Sequence, residues 1–294
     1  MSSMFLQTIV HGVAAGSTYG LFALGFGVIF QTCRFFHFAH GAVFTISAYI
    51  AYVFVIAGAP VLLAFAAAIV CATALGICID VLVYRRIRAD GGSPLSFFIA
   101  SLGVSIVLQS GVSLVFGDGT RRIAAGRIVE GHILLGARIT TIQVWTILTA
   151  VVLATATYIW LFKFNSGKAI RALANDPELS RIMGIPTNGF TSLAFGVGSS
   201  LAAIAAIFVA YDTDLTPQMG FNAMLMGVTA AVIGGIGSIR GSLCGGLIVG
   251  LMQHSSVWLL PSEFQDIAIY TLLIAFLVLL PKGCFGRSVP RATV

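Results

Sequence analysis

Long apolar stretches, broken by short polar seams, run along almost the whole chain. They fall at about 5–31, 42–57, 61–84, 96–116, 142–162, 190–211, 222–236, 242–260 and 265–281. A helix needs roughly 17–25 residues to cross a bilayer, and most of these runs have that length. Those at 42–57 and 222–236 are short and flanked by glycine, so each predicts either a full crossing or a broken, re-entrant helix. The pattern predicts an all-α polytopic membrane protein with about eight or nine transmembrane or re-entrant helices, in a single transmembrane domain over 1–294. The first run has no basic segment before it and continues to about Phe30. It predicts a retained helix rather than a cleaved signal peptide.

Composition sharpens the class. The chain is 58% hydrophobic and 9% charged, whereas a soluble domain carries roughly 25% charged residues. An ordinary soluble helical protein is excluded. The net charge of +6 does not point to nucleic acid, because the basic residues gather at the seams, where they set topology. Alternating the segments puts Arg34, Arg85, Arg86, Arg88, Lys163, Lys168, Arg171, Arg181, Arg240, Lys282, Arg287 and Arg291 on one side, twelve of sixteen. Arg121, Arg122, Arg127 and Arg138 lie on the other, all in loop 117–141. That asymmetry predicts an N-terminus outside and a C-terminus in the cytoplasm. Loop 117–141 is then external. Its short β-branched stretches separated by glycine predict a small hairpin, serving either as a docking surface or as a connecting loop.

Of the ten acidic residues, only Asp80 lies inside a run, one turn from its cytoplasmic end. Pairing with Arg85 or hydrogen bonding to Tyr84 is the expected role. The lack of a carboxylate at a predicted midplane counts against a proton- or sodium-coupled transporter. The five cysteines have no metal-ligand spacing, and those in apolar runs read as small hydrophobes.

One polar island interrupts the apolar pattern, Ser166 to Asn188, with Lys163 at its edge. Asp176-Pro177-Glu178 reads as a helix start: a capping carboxylate, a proline suited to the first helical position, and an acid near the positive dipole end. Leu179, Ile182 and Met183 form an apolar stripe at helical spacing. Gly184 can end that helix and Pro186 prevents its continuation. Ala169, Ile170, Leu173 and Ala174 make a second stripe before it. The result is two short amphipathic helices on the cytoplasmic face. They either pack on the chain's own helix ends or insert into a groove on a motor subunit. The chain has no G-x-x-x-x-G-K-[ST] sequence. The nearest string, Asn165-Ser166-Gly167-Lys168-Ala169, lacks the first glycine and the hydroxyl after lysine.

Two glycine-rich blocks suit close backbone approach. The first is Phe35-Phe36-His37-Phe38-Ala39-His40-Gly41, following Gly16, Tyr19, Gly20, Gly25 and Gly27. The second is Gly234-Gly235-Ile236-Gly237-Ser238-Ile239-Arg240-Gly241-Ser242, followed by Gly245, Gly246 and Gly250. His37 and His40 lie three apart, without further metal ligands nearby. Hydrogen bonding at a helix break and lining a polar path both remain open for them. His11 and His254 read as packing residues. No catalytic constellation is legible.

These blocks carry a resemblance. Gly16-Ser17-Thr18-Tyr19-Gly20-Leu21 through Ala39-His40-Gly41, the island with Gly167, Arg171-Ala172 and Met183-Gly184-Ile185, the block Pro217, Gly220 and Ile233 to Ser238, and the ending Pro281-Lys282-Gly283-Cys284-Phe285-Gly286 follow in order. Together they resemble the membrane permeases of branched-chain amino acid ABC importers, the Liv type. The resemblance implies a multi-pass permease domain in a bacterial inner membrane, surrounded by lipid. It implies a second permease, identical or different, two cytoplasmic ABC ATPases that hold the ATP and Mg, and a periplasmic solute-binding protein. It implies no cofactor and no catalytic site in this chain. The implied translocation path includes Tyr19, His37, Phe38, Ala39, His40, Gly41, Gly234, Gly235 and Gly237. The implied coupling segment, within 163–189, includes Gly167, Arg171, Asn175, Asp176, Glu178, Arg181 and Gly184. His37 stands where the family usually has Asn, and Cys284 where it has Leu. The wider family includes urea and short-chain amide permeases, so cargo stays open between these classes. A stand-alone secondary transporter or channel, and a membrane scaffold, are the competing readings.

Overall fold

The computed structural model describes residues 2–123, 131–134, 137–258, 261, 264–280 and 282–286. Every apolar run becomes a helix: α1 (Ser2–Cys33), α2 (Ala39–Ile56), α3 (Val61–Ile79), α5 (Pro94–Phe116), α6 (Thr141–Lys163), α9 (Thr187–Asp212), α10 (Met219–Gly234), α11 (Ile239–Ser256) and α12 (Gln265–Leu279). Between them lie α4 (Arg85–Ala89), β1 (Gly131–Leu134), β2 (Ala137–Thr140), α7 (Asn165–Asn175) and α8 (Pro177–Ile182). Six helical segments among the described residues are long and apolar enough to span a membrane, while α10 and α12 are shorter apolar helices. The run expected at 42–57 starts earlier, so Ala39, His40 and Gly41 form the first turn of α2. The run at 222–236 also starts earlier, at Met219, and the Gly235–Ser238 stretch turns the chain between α10 and α11.

Backbone contact between glycines holds the centre together. A Cβ on Gly16 would lie 2.8 Å from the Gly246 carbonyl oxygen of α11, and one on Gly12 3.1 Å from that of Gly250. Gly25 meets Gly198 of α9, and Gly41 meets Gly220 of α10. Within a membrane there is little hydrophobic gain between helices, so close van der Waals packing has to supply cohesion. The core helices α1, α2 and α9 are mostly buried, whereas α3, α5 and α6 present large apolar faces outward.

The two ends of the molecule differ. At one end β1 and β2 pair antiparallel, with Gly131 opposite Thr140, as the hairpin expectation required. Residues 124–130, with Arg127, and 135–136 of the expected external loop lie outside the described residues. Gln7 of α1 ties this end down: it donates to the Arg138 carbonyl (2.8 Å) and accepts from the Arg138 N–H (2.7 Å). Arg122 forms an ion pair with Asp214, beside a backbone bridge between Arg121 and Leu215. At the other end stand α4, α7 and α8. Arg287 and Arg291 lie outside the described residues, as does Pro281.

Asp80 departs from its expected partners. The chain between α3 and α4 makes a π turn over Asp80–Tyr84. The wider turn rotates the following residues, so the Asp80 carboxylate accepts from Arg88 (2.8 Å) and from the Ser192 hydroxyl of α9 (2.6 Å). Arg85 donates to Ser192 instead (3.1 Å), and Tyr84 bonds His37. Asp80 is fully buried, so its charge needs these donors.

Candidate functional site

The first glycine block is a tight re-entry. Arg34 ends α1 in a left-handed conformation, φ 53°, and its N–H closes the helix on the Phe30 carbonyl (2.8 Å). The connector 34–38 then climbs into an aromatic shell. Phe35 sits 5.0 Å from both the Tyr84 and Phe97 rings, and His37 packs 5.0 Å from Phe195. His37 Nδ1 bonds the Tyr84 hydroxyl at 2.9 Å. The imidazole of His40 faces α1, 4.6 Å from the Phe22 ring. His37, Ala39, His40 and Gly41 are buried, and Phe38 is half-buried. Tyr19 is half-buried and donates to Gln253 of α11 (2.7 Å).

The second block is pinned from two sides. The Gln31 amide of α1 donates to the Gly237 carbonyl. The amides of Cys284 and Phe285 donate to the carbonyls of Ile233 (2.8 Å) and Gly234 (3.0 Å). Gly235 and Gly237 both have positive φ, 98° and 84°, which an L side chain rarely adopts. Gly234 and Gly235 are buried and Gly237 is half-buried. In this conformation most of the first block and the Gly234-Gly235 pair of the second are packed inside the chain, while Ile236, Gly237 and Ser238 are half-buried and Arg240 is exposed.

The island folds as its residues dictate. Gly167 lets α7 turn back closely against the Trp160 and Leu161 backbone of α6. Arg171 lies over the Phe162 ring, 4.3 Å from its centroid. Asp176 accepts from the amides of Glu178 (3.0 Å) and Leu179 (2.9 Å), capping α8. Gly184, φ 80°, ends α8 with paired bonds from Gly184 N–H to Arg181 and from Ile185 N–H to Ser180, a Schellman arrangement. A short helix capped at both ends projects an apolar stripe outward: Leu179, Ile182 and Met183 are 55%, 75% and 73% exposed. Asn175, Glu178 and Arg181 are also exposed. The α8 stripe therefore does not pack on the chain's own helices, whereas Ile170 and Leu173 of α7 are buried against them.

Three features lay beyond the sequence reading. Arg34 donates to the carbonyls of Ala174 (2.7 Å) and Asn175 (3.1 Å) at the end of α7. His11 and His254 are not mere packing residues. His11 bonds Gln7 (2.6 Å) and Gln143 (3.0 Å), and its ring stacks 6.1 Å from His254. The third feature is an open groove of ≈ 490 Å³ along α5, lined by Ile106, Gln109, Ser110, Ser113, Leu114 and Asp118. Gly103 and Gly111 of α5 have no atom near where a Cβ would be. The serines, glutamine and glycines of α5 were the available signal, since such residues in a membrane run tend to face protein or water.

Residues 8–279 match the model of the branched-chain amino acid transport system permease component. This chain belongs to that permease family. The permease is 34% identical over 301 residues to the high-affinity branched-chain amino acid transport system permease LivH of Escherichia coli K12, covering 96% of each chain. It is 31% identical over 299 residues to the corresponding protein BraD of Pseudomonas aeruginosa PAO1, again over 96% of each. Its fold is similar to a solved structure described as an inward-facing conformation of an ABC transporter of metal-chelate type. There the TM-score is 0.51, with 14% identity over 92% of this chain and 85% of that one. The permease is thus a membrane subunit of an ABC transporter, and its family supplies no ATPase site of its own.

Proposed function

We propose that this permease is the conduit of an ATP-driven importer that moves a branched-chain amino acid, or a related small polar solute, handed over by a periplasmic binding protein. It sits in a bacterial inner membrane with nine membrane segments, α1, α2, α3, α5, α6, α9, α10, α11 and α12. The N-terminus and hairpin lie outside, and α4, α7, α8 and the C-terminus lie in the cytoplasm. Two ATPase subunits carrying ATP and Mg dock on α7 and α8, and a second permease completes the path. The exposed stripe of α8 carries this reading. Three large apolar side chains on a rigid, doubly capped helix, at the end richest in arginine, suit insertion into a protein groove.

Most of the path residues implied by the family motifs are buried here, with Tyr19, Phe38 and Gly237 half-buried, so their part in translocation requires a conformational change that opens the two glycine blocks. The polar groove of α5 is the better candidate for the wall facing the path or the second permease. The amide and urea alternative drew support from His37 replacing Asn. Because His37 is packed on Tyr84, that replacement gives no argument about cargo, and the names of LivH and BraD favour branched-chain amino acids.

Reconstitution in proteoliposomes with the ATPases, second permease and binding protein tests this reading. Leucine uptake should require ATP, and Ile182→Asp with Met183→Asp should abolish both ATPase association and uptake while the subunit still inserts. Gradient-driven uptake by the permease without ATPases would instead identify a secondary transporter.

A further inference from the structure

We propose that Arg34 is the positioning residue that ties the coupling helices to α5, with the connector 34–38 as a stiff relay between them. The inference rests on the coupling role given to α7 and α8 above and extends it to a specific mechanical link. Among the described residues Arg34 is the one non-glycine residue with positive φ, 53°. A glycine would close α1 there without steric penalty. An arginine held in that conformation points to a use for its side chain. That use is visible. The guanidinium bridges the carbonyls of Ala174 (2.7 Å) and Asn175 (3.1 Å). These lie in the last turn of α7, where carbonyls lack helical partners and the dipole is negative.

The connector beyond Arg34 is fixed along its length. Phe35 is buried between Tyr84 and Phe97, and His37 is bonded to Tyr84. At its far end one buried hydroxyl, Ser101 of α5, accepts from the Phe38 N–H (3.2 Å) and shares its own hydrogen between the Phe98 carbonyl of α5 (2.8 Å) and the Phe36 carbonyl (3.1 Å). The helix α5 packs on α2 but otherwise lightly on the chain, and it carries the polar groove. A shift of α7 therefore reaches α5 through five residues with a polar anchor at each end.

The test uses the full complex in proteoliposomes, reading solute moved per ATP hydrolysed. Arg34→Gly should assemble, keep its thermal unfolding temperature because the backbone strain is relieved, and continue to hydrolyse ATP. Its transport ratio should fall about fivefold or more, the scale of a typical coupling between sites. Ser101→Ala should do the same from the other end. The double variant should be no worse than either single, since both cut one relay. Arg34→Lys, which keeps the charge but loses the planar fork, should recover part of the ratio. A normal ratio in Arg34→Gly, or losses that multiply in the double variant, overturns the relay. If Arg34→Gly fails to assemble, a normal ratio in Ser101→Ala overturns it equally. Failure of the importer reading is separately visible, as wild-type uptake that needs no ATP.

Discussion

Glycine does two opposite things in this chain. At Gly246 an added methyl would press on backbone atoms of Gly16 and Gly20 in α1. Backbone cannot yield as a flexible side chain can, so Gly246→Ala should force α1 and α11 apart. The expected loss is about 1–3 kcal/mol, read as a lower unfolding temperature in detergent. At Gly103 a methyl would meet nothing. Gly103→Ala should leave the isolated subunit unharmed, or stabilise it by about 0.5–1 kcal/mol through helix propensity. The same change should reduce co-purification of the second permease if that partner lies on the α5 face. Unchanged co-purification would turn that face toward lipid or solute instead. Both glycines sit inside helices, and the helices that neighbour them set the opposite outcomes.

Short elements differ in how far their own residues specify them. The cap, proline and terminal glycine of α8 lie within one continuous stretch, so its start and stop were legible. The π turn after α3 was not, because its reason lies in α9: Asp80 reaches Ser192, more than a hundred residues away. Asp80→Asn should leave Arg88 without its carboxylate partner. The half-exposed position of Arg88 limits the loss to about 2 kcal/mol, measurable by thermal unfolding and accompanied by loosening between α4 and α9. At the hairpin end the hydrogen bond from Arg122 holds the Asp214 carboxyl below its usual range. A depressed carboxyl contributes above its unfolded value of about 4 and loses that contribution as pH falls through the lower folded value. Proteolysis near residues 118–123 should therefore be steady from pH 7 to pH 5 and increase only on stronger acidification. Asp214→Asn should be cleaved readily across the whole range.

For the whole molecule, the asymmetry of basic residues predicts which end faces the cytoplasm. In a background with the native cysteines replaced, Asp118→Cys should react with a membrane-impermeant maleimide in intact cells. Asp176→Cys should react only after permeabilisation, and the opposite pattern would invert the proposed orientation. The membrane class, the apolar runs that became helices, the hairpin and the capped island were set by the sequence itself, because hydropathy, helical period and capping act over neighbouring residues, whereas the sequence left eight or nine membrane segments open. Tertiary structure decided the rest. It drew the H-F-A-H-G and G-G-x-G-S blocks into the buried centre, gave His11 and His254 polar partners, turned the polar side of α5 outward and placed Arg34 on α7. Those outcomes depend on which helices touch, and contacts between separate helices, 47 residues apart for His37 and Tyr84 and 140 for Arg34 and Ala174, leave no local period to read.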